Sequence, residues 1–159
     1  MQAGSSAAQA GSSAAQPSAS PNNAGPYAAA VVQDCNLLSA DAAAEILGVK
    51  PSTLKPHVER QGDQMILCGF EGHNTAIGYQ MVHWINAQAA RDRYQEFVAD
   101  AQKLDSYVPV QGVGDAAAWA KLEDTPALGS YKGNLLMFVM LPKDQAKATA
   151  VAKKIWSGL

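Results

Sequence analysis

Charge is scarce in this chain, and no residue before Asp34 carries any. Lys, Arg, Asp and Glu make up 16% of 159 residues and nearly cancel, leaving a net charge of −2 at pH 7. So small a balance gives no long-range attraction to nucleic acid or to anionic membranes. Long apolar runs are missing as well. The longest, Leu135 to Leu141, has the length of a buried strand, well short of the ~18 residues that a membrane-spanning helix needs. Only two cysteines occur, Cys35 and Cys68, too few for a zinc ribbon and too far apart for a CxxC redox motif. Their spacing leaves two readings open: free thiols in a reducing compartment, or one disulfide in an oxidising one. The three histidines, His57, His73 and His83, stand at none of the short intervals of a helical or hairpin metal site.

Ala, Ser, Gly, Gln and Pro fill the first stretch instead. A direct repeat, QAGSSAA, runs twice after Met1 and gives way to a Pro/Ser/Asn segment ending at Pro26. Nothing large and apolar is offered for burial before Tyr27, so residues 1–26 are expected to be a disordered linker. Residues 27–159 are expected to form a single domain, long enough to bury about two thirds of its unfolded surface. The linker has neither the basic start nor the apolar centre of a signal peptide. It reads as the tail of an exported lipoprotein after signal removal, with Met1 standing where a lipid-bearing cysteine would be. An ordinary cytosolic protein with a disordered N-terminus is the other reading.

Periodicity places the elements. From Thr75 to Ile85 apolar residues recur at every second position, with Ile77, Tyr79, Met81, His83 and Ile85 on one side. Asn86 then offers a helix cap, and Ala90, Tyr94, Phe97, Val98, Ala101 and Leu104 share one helical stripe. Earlier, Ser39 and Gly48 bracket a short helix. Pro51 and Pro56 reduce the following segment to an edge strand. Met65 to Glu71 reads as a strand turning back at His73. After Leu104 the order repeats: a Gly112–Gly114 turn, a strand to Leu122, a loop from Glu123 to Pro126, and a hairpin around Gly133. Pro142 is expected to open a last helix reaching Ser157. The prediction is an α+β domain, an antiparallel sheet of five to six strands with helices mainly on one face, in the order α-βββ-α-βββ-α.

Several of these stretches also carry a resemblance. An alanine-rich helix follows a cysteine in CNLLSADAAAEILG, Cys35 to Gly48; a second cysteine lies in a strand with an aromatic two residues on, Cys68 and Phe70. A VQGVGDAAAW turn runs from Val110 to Trp119, and a final apolar strand precedes an Ala/Lys helix. In that order they resemble small two-cysteine envelope lipoproteins and secreted α+β domains of bacteria, of unassigned activity. Phe70 stands where that group has Tyr or Trp. The resemblance implies export, a periplasmic or outer-envelope location with a possible lipid anchor, or secretion. It also implies a Cys35–Cys68 disulfide, and it supplies no catalytic residues.

Chemistry of other kinds finds little support. Gly112 and Gly114 fit the start of a dinucleotide fingerprint, but no helix is expected to open after them. Ser130 lacks the Gly-x-Ser-x-Gly frame of a nucleophile elbow. No catalytic, metal or cofactor-binding residue is assigned. Trp84 falls out of the alternation of Ile77, Tyr79 and Met81, so with Val82 and Gln80 it forms a candidate recognition patch on the opposite sheet face. The expectation is a non-catalytic, monomeric envelope module that binds a protein or a small ligand. A hydrolase with a dispersed site and a cytosolic interaction module with reduced cysteines are the alternatives.

Overall fold

The computed structural model describes residues 25–159; the linker expected over residues 1–24 lies outside the described residues. Three helices and seven strands follow one another as α1 (Ala40–Leu47), β1 (Lys55–Gln61), β2 (Met65–Gly72), β3 (Thr75–His83), α2 (Ala87–Lys103), β4 (Val108–Val110), β5 (Ala116–Leu122), β6 (Thr125–Lys132), β7 (Leu135–Leu141) and α3 (Gln145–Ser157). The strands make one antiparallel sheet in the order β1-β2-β3-β7-β6-β5-β4. The α+β class stands, and the strand count and element order are corrected. Seven strands replace five to six, and the order is α-βββ-α-ββββ-α. The extra strand is Val108–Val110, too short to alternate visibly, which pairs with the first half of β5 nonetheless. Thr125 and Pro126 also belong to β6 instead of a loop, because Glu123 takes a φ of 53° and closes a two-residue turn.

Each helix starts where a side chain satisfies a free backbone donor. Ser39 Oγ accepts from Ala42 N at 3.1 Å, Asn86 Oδ1 from Ala89 N at 2.8 Å, and Asp144 Oδ1 from Lys147 N at 2.8 Å. The last of these starts α3 after Pro142, which lies in the preceding turn and not in the helix. Gly48 ends α1 with a φ of 72°, a conformation that costs glycine nothing. Both free sheet edges carry a proline, Pro56 on β1 and Pro109 on β4, where a missing amide donor discourages pairing with another chain.

Helices are expected mainly on one face; α1 and α3 share one face of the sheet and α2 lies on the other. One face carries Ile66, Cys68, Tyr79, Met81, Leu128, Met137 and Val139 under α1, α3 and a short 3-10 turn at Ala29–Val32. The other carries Ala118, Ala120, Tyr131 and Leu136, and only α2 lies on it, packed on β5, β6 and β7. Its buried stripe is Ala90, Tyr94, Phe97 and Ala101, while Leu104 is left exposed. Phe97 lies so close to β6 that a Cβ on Gly129 would come within 2.5 Å of its ring. A continuous apolar strand is the mark of burial on both sides. Leu135 to Leu141 has that composition, because α3 covers one of its faces and α2 the other.

Cys35 and Cys68 form a disulfide with Cα atoms 5.5 Å apart, joining the segment before α1 to β2 on the doubly covered face. The chain enters the domain at the β6–β7 turn. Tyr27 N donates to Asn134 Oδ1 at 3.0 Å, and Tyr27 O accepts from Asn134 Nδ2 at 2.9 Å. His83 Nε2 lies 2.9 Å from the same carbonyl. The imidazole is thus hydrogen-bonded at the margin of the core, as its place in the alternation implied.

Candidate functional site

The second face is covered over half its width. α2 packs on β5, β6 and β7 and reaches only the margin of β3, at Val82; among the described residues no helix packs extensively on β1 to β3 from this side. The helix therefore ends in a step, and a groove of about 630 Å³ runs along it. Its floor is Val82 from β3 with Leu136, Phe138 and Met140 from β7; Phe97 of α2 and Trp84 form walls. A volume of this size is in the range of small-molecule sites, roughly 300–1,000 Å³.

Three residues singled out from the sequence, Gln80, Val82 and Trp84, all line this groove. β3 brings them there because Gln80 pairs with Phe138 and Val82 with Leu136 in the antiparallel register. At Gly78/Tyr79 that register shifts: Tyr79 pairs with Val139 and Gly78 with Leu141, leaving Met140 as the unpaired residue of a bulge. Bulges redirect side chains, and Met140 lines both the groove and a neighbouring depression. That depression, about 220 Å³, lies over the facing glycines Gly69 and Gly78, with His57 at its edge.

Trp84 is half-buried, with the guanidinium of Arg93 5.5 Å from its ring centre, a cation–π distance. Arg93 also pairs with Glu96 one turn along α2. The indole Nε1 is buried without a hydrogen-bond partner. α2 thus supplies the cover for Trp84, through a charged side chain lying over it.

Phe97, Leu136, Phe138 and Met140 were not among the residues read from the sequence as a patch. The strand of the last three, β7, is separated from β3 by α2 and three other strands along the chain, and only the sheet order makes the two neighbours. The fully apolar composition of Leu135 to Leu141 held the one available signal, two buried faces.

Elsewhere the geometry is structural. Ser130 is buried beneath α3, where its Oγ accepts from Trp156 Nε1 at 3.0 Å. Gly112 and Gly114 take φ values of 73° and 56° in the turn that leads into β5, so a strand follows them and not a helix. His57 and His73 are exposed. Among the described residues no three His, Cys, Asp or Glu side chains converge as a metal site requires. On the far flank of α2 a second cavity, about 390 Å³, is bordered by Gln95, Gln102, Tyr107 and Asp115. Tyr94 lies at its edge, its hydroxyl pushed up to about 12 by burial and then by Tyr107 and Tyr131. Within the core Tyr79 is raised further by burial alone, and its hydroxyl has no partner.

No family model matches the chain, and neither a curated protein nor a solved structure matches it.

Proposed function

We propose that this chain is an extracytoplasmic binding module whose ligand lies in the groove between α2 and the open half of the sheet. The observation that carries the reading is the convergence of Val82, Trp84, Leu136, Phe138 and Met140 on one groove. Large side chains from two separated segments leave apolar surface in contact with solvent there, and a ligand would remove it from water at about 25 cal/mol per Å². The disulfide supports location outside the cytoplasm, since such bonds persist in oxidising compartments. No helix among the described residues is long and apolar enough to cross a membrane. The uncharged segment before Tyr27 and the resemblance to envelope lipoproteins point the same way, to an exported domain on a tether. The prolines at both sheet edges favour a monomer.

The test is a titration with phenylnaphthylamine, a neutral apolar fluorophore. Binding should raise its emission, and Ala127→Trp, which fills the groove from β6, should abolish the rise while leaving the circular dichroism spectrum unchanged. Val82→Lys, on the part of the floor that β3 supplies, is the second variant should the first fail to fold. The reading falls if the fluorophore does not bind, or if it binds equally well to a folded groove variant.

A further inference from the structure

The charges around the groove are unevenly distributed, and their arrangement narrows what can occupy it. At the Trp84 end the one cation, Arg93, is already engaged by Glu96 and by the indole ring. Farther along α2, Asp100 lines the groove and has Lys103 at 3.5 Å. Across from it the groove is closed by Leu122 and Thr125, the residues flanking the β5–β6 turn. That turn is Glu123 and Asp124, both exposed, and among the described residues neither is in an ion pair. The nearest lysine on these strands, Lys121, alternates with the buried Ala120 and so belongs to the other face of the sheet. The Trp84 end is thus electrically closed, whereas the hairpin end carries two uncompensated carboxylates beside apolar walls.

From this we infer that the occupant is a small amphipathic cation. Its apolar body lies along Phe138 and Met140, and its positive group sits by Glu123 and Asp124. An anionic headgroup would find no free cation among the described residues that line the groove and would meet like charge at the hairpin. Two exposed carboxylates would together favour a cationic over a neutral headgroup by about tenfold at low salt. The inference rests on the groove being the ligand seat, and the experiment separates the two.

Phenylnaphthylamine bound to the full chain is displaced, below the micellar range and at low salt, by three amphiphiles of one chain length: dodecyltrimethylammonium, dodecyl maltoside and dodecyl sulfate. The expected result is displacement by the ammonium at about tenfold lower concentration than by the maltoside, with the sulfate weakest. The preference should shrink as salt is raised. In the double variant Glu123→Gln, Asp124→Asn the ammonium should fall to the level of the maltoside, whose own displacement should not change. Should the maltoside match or outdo the ammonium, or the sulfate displace best, the charge inference is overturned while the groove remains a ligand seat. If no amphiphile displaces the fluorophore, the ligand seat fails together with the inference. An ammonium preference that survives in the double variant also overturns it, since the cation would then be held elsewhere.

Discussion

The two faces of the sheet are built from the same strands and reach different ends. On the α1/α3 face the cover closes over the central strands: Leu128, Met137, Val139, Val151 and Ile155 are fully buried, and the disulfide ties the leader segment to β2, while Val58 and Val108 on the two edge strands stay exposed. On the α2 face one helix covers three strands and stops, so Val82, Phe138 and Met140 remain partly in contact with solvent. The first arrangement makes stability, and the second leaves apolar surface for something else to cover. A domain stable through one face can leave the other half-finished, and that is where ligand binding is proposed.

Truncations should separate the faces most sharply. Leu128→Ala, beneath α3, is expected to cost about 2–5 kcal/mol, because the lost contacts leave a cavity in a closed layer. Met140→Ala, on the bulge, should cost clearly less than Leu128→Ala in urea unfolding, since its side chain is already partly solvated. Equal losses would show that the α2 face is as closed as the other. Reduction of the disulfide comes next. It closes a loop with a sequence separation of 33, and its loss should lower stability by about 2–4 kcal/mol. Thiol titration of unreduced, denatured protein should find no free thiol; two would remove the disulfide and the case for an oxidising compartment with it.

The smallest effects concern two tyrosines, one on each face. Tyr79 buries a hydroxyl with no partner, so Tyr79→Phe should leave stability unchanged or raise it by about 1 kcal/mol. A clear loss in chemical denaturation would mean that the hydroxyl is satisfied after all. Tyr94 works through pH. Its folded pKa of about 12 lies above the unfolded value of 10.0, so the folded state keeps a proton that the unfolded state releases. Stability from this difference is present below pH 10 and is lost as pH rises toward about 12. Tyr94→Phe should flatten that alkaline decline, read as thermal midpoint against pH; an unchanged slope would rule out Tyr94 as its source.

Much of the local structure was legible in particular residues. Ser39, Asn86 and Gly48 marked helix ends because their side chains, or the lack of one, satisfy local backbone requirements within a few residues. Ile77, Tyr79 and Met81 showed which side of β3 faces a core, since alternation is a property of the strand itself. The same alternation put Gln80, Val82 and Trp84 on the opposite side. The short strand Val108–Val110 escaped notice because three residues cannot establish a period. How far α2 covers the second face escaped too, although Leu135 to Leu141 carried the trace of it.

What the amino-acid order determined by itself is therefore local: caps, turns, strand faces, and the pair of cysteines available for a bond. Which strands lie side by side was settled only by the folded chain, because the β3–β7 pairing joins segments more than 50 positions apart. Neither strand's own periodicity encodes that contact. The groove follows from the pairing and from how far α2 reaches across the sheet. Both are outcomes of packing, in which the apolar residues of distant segments compete for the same limited area of cover.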